Sequence, residues 1–242
     1  MPRLLLCGAS ALLSVAVLTL AVPAAGQGVF DMGMLTNSLS QGALIQSEEA
    51  RSGSQRALRS MTRAPRDAAV NRAAILYRSS TAVRQRNMQQ FVARLRRVDP
   101  SGAADLQRTL ARRDVVAEVG ALMRPVGLDP NNVADAMAMY LVAAYYGVRG
   151  SIDSKPSDYK AVSAQLARAV SSAPHFANAS DALKQEIAES MIVQAVLVEQ
   201  AVQAAQKQPS AMPAVKAAIA KGARGAFGFD VTRMRLGPDG LG

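Results

Sequence analysis

The chain has 242 residues, a formal net charge of +10, one cysteine, one histidine and no tryptophan. One cysteine excludes a disulfide framework, and a single histidine without partners at ligand spacing excludes the usual zinc clusters and hydrolytic triads. Half of the residues are hydrophobic but only 4% are aromatic, and Ala, Val, Gln and Arg are plentiful, a composition that suits an all-α protein with a core of its own.

Met1-Pro2-Arg3, an apolar run from Leu4 to Val22 and the small residues Ala24-Ala25-Gly26 read as a secretory signal peptide over residues 1–26, cleaved after Ala24 or Gly26. The alternative is an uncleaved anchor, since the run is long enough to span a bilayer. Cys7 lies inside this run, so the processed chain would hold no thiol. Residues 27–65 are rich in Gly, Ser, Gln and Met with weak periodicity, and are expected to form a flexible basic arm.

A helical domain is expected over 66–228. Ser79-Ser80-Thr81 starts a helix that runs to about Val98, with Met88, Phe91, Val92 and Leu95 on its apolar stripe and Arg84, Arg86, Arg94, Arg96 and Arg97 elsewhere on its surface. Asp99-Pro100 ends it and opens the next, on which Ala103, Leu106 and Leu110 face inward. Asp114 caps a short helix that Pro125 and Gly127 terminate.

Asn131–Gly150 is apolar on nearly every side, with Val133, Met137, Tyr140, Leu141, Ala144 and Val148 at helical spacing, and is expected to be the buried central helix. A helix starting at Ser157 or Asp158 follows, then a loop holding His175, then the longest helix, from Ser180 or Asp181 to about Gln206. The last helix should end near Ala223, where Gly222, Gly225 and Gly228 loosen the chain, leaving residues 229–242 as an extended tail with a turn at Gly237-Pro238-Asp239-Gly240. The fold class is therefore all-α: a single bundle of about six helices around Asn131–Gly150.

Charge is uneven. Arg51–Arg113 holds fifteen arginines and three acids, whereas 114–242 holds twelve basic and twelve acidic residues. Arginine pairs carboxylates and phosphates bidentately, so Arg51, Arg56, Arg59 and Arg63 are candidate contacts to an acidic protein or an anionic membrane surface. The plainer reading makes these arginines solvated helix faces. Nucleic acid is disfavoured as a partner, because the region lacks aromatics for base stacking.

Asn132, Asp135 and Tyr140 form a second candidate set, polar groups on an otherwise apolar helix. Capping by Asn132 and a dipole-favoured anion at Asp135 explain the first two without a ligand. Glu118, Asp135, Glu186 and Glu189 are the acids available to a hydrolase, although Glu186 and Glu189 read more simply as a solvated face. No metal site and no cofactor are expected, and the chain is not expected to be an enzyme.

The run Tyr77, Arg86-Asn87, Phe91, Asp99-Pro100, Asp114, Met123, Gly127-Leu128, Asn132-Val133-Ala134-Asp135-Ala136, Tyr140 and Gly150, with the tail Phe227-Gly228-Phe229-Asp230, resembles a family of small exported proteobacterial proteins of unknown function. The likeness covers about Tyr77–Leu241, and Asn-Val-Ala-Asp-Ala is its most specific block. Leu141 and Tyr145 stand where many members carry Trp. The resemblance implies an exported helical protein, periplasmic or secreted, and supplies no activity. The function expected is non-catalytic binding of another cell-envelope component. The alternatives are a peripheral binder of anionic lipid or polyanion through 51–113, and an envelope-polymer hydrolase using buried acids.

Overall fold

The computed structural model describes residues 66–97, 100–173, 176, 178–228 and 230–242. The signal peptide and basic arm expected over 1–65, including Arg51, Arg56, Arg59 and Arg63, lie outside the described residues, as do Asp99 and His175. The described chain is mostly helical: α1 (Arg72–Ile75), α2 (Thr81–Arg96), α3 (Pro100–Arg112), α4 (Val115–Met123), α5 (Val133–Gly147), α6 (Pro156–Ser171), α7 (Asp181–Lys207) and α8 (Met212–Phe227). A two-residue antiparallel hairpin, β1 (Leu236–Gly237) and β2 (Gly240–Leu241), closes the chain.

Local chemistry sets the helix starts. The side chains of Asn71, Ser80, Asp114, Asn132 and Ser180 each accept a bond from a backbone N–H of the first turn, which otherwise has no intrahelical partner. At α6, Pro156 occupies the first turn, where its missing N–H costs nothing, and Asp158 accepts from the Lys155 N–H at 2.9 Å.

Helix α5 is buried on nearly every side. It packs on α7, α6 and α8, and Val133, Ala134, Ala136, Met137, Ala138, Leu141, Val142 and Ala144 have no exposed surface. Each large apolar side chain buried this way contributes roughly 1.5–3 kcal/mol. Gly147 lets the helix approach its neighbours: a Cβ there would lie 2.9 Å from both Val198 Cγ1 and Ile219 Cδ1.

One expectation is corrected at the C-terminus. Helix α8 continues through Gly222 and Gly225 to Phe227, and only Gly228, in the left-handed conformation at φ 75°, ends it. Each internal glycine costs about 1 kcal/mol of helix propensity, which is offset by Phe227, fully buried and 5.2 Å from the Tyr140 ring. The tail is extended at β1 and β2, and the turn between them falls at Gly237–Gly240, where the sequence marks one. Asp230 caps a 3-10 turn at Val231–Arg233, and the hairpin then folds onto α6, where Gln165 donates to the Leu241 carbonyl and accepts from its N–H, both at 2.8 Å.

Candidate functional site

Helices α2 and α3 pack against each other, and the first turn of α4 lies beside them. A cleft of about 630 Å³ runs between the three, within the range of small-molecule pockets. Its floor is apolar, with Val92 and Val116 buried and Met88, Leu110 and Val115 half-buried. Among the described lining residues, four arginines, Arg84, Arg96, Arg112 and Arg113, stand along its wall, against one acid, Asp114.

The four arginines are not equivalent. Arg113 forms a bidentate pair with Glu118 at 2.9 and 2.6 Å. Arg84 donates to Asp114 at 2.7 Å and to Glu189 at 2.8 Å. Arg96 donates to the neutral Gln107 at 2.6 Å, so its charge is not cancelled there. Arg112 is exposed at the last turn of α3, and its guanidinium has no bonded partner among the described residues. Among the described residues, two positive charges therefore border the apolar floor without a facing acid.

Behind the cleft a polar network joins α2 to α7. Glu189 is fully buried, and its carboxylate accepts from Arg84 Nε, Asn87 Nδ2 and Gln185 Nε2, each at 2.8 Å. Gln185 is also fully buried and exchanges two 2.9 Å bonds with the Ser80 backbone. Asp114 uses one oxygen to cap α4 and the other to hold Arg84. Arg84 thus ties three helices together. The reading of Glu189 as part of a solvated face is corrected, because it faces another helix, and Arg84, placed on the surface by its spacing, is half-buried with its guanidinium committed to Glu189 and Asp114.

Asn132 and Asp135 stand side by side at the start of α5, with Asn132 bonded to the Asp135 carboxylate, and Tyr140 lies further along the same helix. Asn132 caps α5, accepting from the Ala134 N–H at 2.9 Å. Asp135 is buried and accepts from the Asp129 N–H at 2.8 Å and from the Ser163 hydroxyl, which pins the loop before α5 and joins α5 to α6. Burial raises its pKa, against the bonds from Ser163 and Asp129 that lower it. Tyr140 is buried against Phe227 of α8, and burial raises its phenol pKa.

One more acid stands out by environment. Glu199 on α7 is pushed up to about 7 by burial, and its charge is felt by Tyr159, whose hydroxyl shares a 2.7 Å bond with Ser154. Among the described residues, no group of three or more His, Cys, Asp or Glu is arranged to hold a metal ion, and no helix is long and apolar enough to cross a membrane.

These features define a helical protein with an arginine-walled cleft. The chain belongs to the family described as a family of unknown function, DUF6683, whose pattern it matches over residues 9–242. No curated protein and no solved structure matches it.

Proposed function

We propose that this is an exported, non-catalytic protein, periplasmic or secreted, that binds an anionic and partly apolar component of the cell envelope in the α2–α3–α4 cleft. The carrying observation is the pairing of an apolar floor with Arg96 and Arg112, two cations that no acid of the described residues neutralises. Such charges attract anions from solution and discriminate by charge, while the floor supplies area-dependent affinity. The helices form the bundle that holds this cleft open, and the basic arm over 27–65 adds further cations for an anionic surface.

Hydrolysis is the weaker reading. Paired-carboxylate chemistry needs two acids across one space, and Asp114 is the single acid among the described lining residues. Asp135 and Glu189 are both occupied in holding helices together.

The test is sedimentation of the purified full chain with anionic and zwitterionic vesicles at low and high salt. Selective binding to anionic vesicles that weakens with salt and falls in Arg112→Gln supports the reading. Replacing Arg51, Arg56, Arg59 and Arg63 by Gln separates the arm's share from the cleft's. Equal binding to both vesicle types overturns it.

A further inference from the structure

Resting on that reading of the cleft, we infer that its ligand is a single-chain amphiphile with a carboxylate head, bound one per protein, head on Arg112 and chain along the floor. The shape of the cleft carries the argument first. Its lining runs along α2 from Thr81 to Arg96, a rise of fifteen residues, or about 22 Å at 1.5 Å per residue. This is a slot along two packed helices, which suits an elongated apolar body better than a rounded one.

The floor sets the chemistry of that body. Met88 and Val92 from α2, Leu110 from α3 and Val115 and Val116 from α4 are all aliphatic or thioether, and no aromatic ring lines the slot among the described residues. A saturated chain gains from such a floor in proportion to the area it covers. Methionine adapts to irregular apolar ligands.

The head follows from the charge account. At the α4 end, Arg84 is held by Asp114 and Glu189, and Arg113 by Glu118. Among the described residues, one guanidinium, that of Arg112, is left there to meet a ligand. A planar fork of N–H donors fits the two oxygens of a carboxylate bidentately, and a singly charged head is neutralised by one arginine. A dianionic phosphate monoester would retain uncompensated charge beside Asp114. Arg96 lies at the opposite end of the slot, bonded to Gln107. It contributes to attraction at a distance rather than to the head contact.

The experiment is isothermal titration of the full chain with octanoate, decanoate and dodecanoate, each kept below its micelle concentration. Dodecyl phosphate, dodecyltrimethylammonium and acetate are run beside them. Saturable binding of one dodecanoate per chain is expected, with affinity rising about fourfold per methylene. Dodecyl phosphate should bind more weakly, and the cation and acetate should not bind. Arg112→Gln should lose about tenfold or more, and Arg96→Gln less than threefold. Met88→Glu, at a half-buried floor position, should abolish binding while the circular dichroism spectrum is kept. That result separates the cleft from the apolar run at Leu4–Val22 as the binding place.

Affinity independent of chain length, stronger binding of dodecyl phosphate, or equal dodecanoate binding by Arg112→Gln overturns the inference. If anionic vesicles still bind selectively in that case, the broader reading of the cleft stands without it. If neither vesicles nor dodecanoate bind, both fall together.

Discussion

Arg84 and Glu189 are 105 residues apart in the chain and meet through a 2.8 Å bond between α2 and α7, with the Glu189 carboxylate wholly shielded from water. A buried carboxylate is tolerable only when its oxygens are matched by donors, and here Arg84, Asn87 and Gln185 supply three. The network positions the α2 wall of the cleft, because Arg84 also reaches Asp114 at the start of α4.

Glu189→Ala should therefore destabilise the protein by about 3–5 kcal/mol, since it strands a half-buried cation and two amides. Glu189→Gln keeps the shape and two acceptor directions and should cost less. Chemical denaturation of both variants measures the difference. A loss below 1 kcal/mol for the alanine variant would mean the network is not a structural tie.

Asp135→Ala should cost about 1–3 kcal/mol by leaving the Asp129 N–H and the Ser163 hydroxyl without their acceptor. Asp135→Asn retains one acceptor and should lie between the alanine variant and the native chain. Neither change should alter binding in the cleft beyond its effect on the folded fraction, because Asp135 joins α5 to α6 and does not line the cleft. A binding defect at full folding would restore Asp135 as a ligand residue.

Glu199 gives a pH dependence whose sign follows from its burial. Its folded pKa, about 7, lies above the usual carboxylate value of 4.5, so folding favours the protonated form. The resulting stability is fully present below about pH 4.5 and is lost as pH rises through 7, amounting to about 3 kcal/mol. Glu199→Gln should flatten that decline and be the more stable protein at pH 8. Thermal melts of both chains from pH 5 to pH 8 decide it. A native decline unchanged by the substitution would place its cause elsewhere, with Asp135, raised in the same direction, as the next group to change.

The C-terminal hairpin depends on Gln165. Gln165→Ala removes both bonds to Leu241, and Gly240→Ala is strained twice: Gly240 has φ 106°, and a Cβ would collide with the Gln165 amide. Both variants should release the tail and free the backbone at Arg233 and Arg235, whose side chains are already exposed, for trypsin, with cleavage at least tenfold faster than in the native chain. Unchanged digestion, read by mass spectrometry, would show that Arg149, which donates to the Met234 carbonyl at 2.9 Å, holds the tail on its own.

Helix identity was legible because it rests on local chemistry. Apolar spacing and capping side chains act within a turn or two, so α2, α4, α5 and α7 begin within about two residues of the positions the sequence marks. The burial of α5 was legible for the same reason, since a helix apolar on every side has to be covered. Tertiary structure decided what the polar faces do. Arg84 and Glu189 occupy positions that look the same along the chain whether they face water or another helix, and only the packing of α2 on α7 made them a buried pair. It also decided that α8 runs on through its glycines to place Phe227 against Tyr140. The cleft depends on the same long-range packing: Arg113 finds Glu118 five residues on, but Arg84 is neutralised only when Asp114 and Glu189 are brought beside it, which leaves Arg96 and Arg112 as the open charges among the described lining residues.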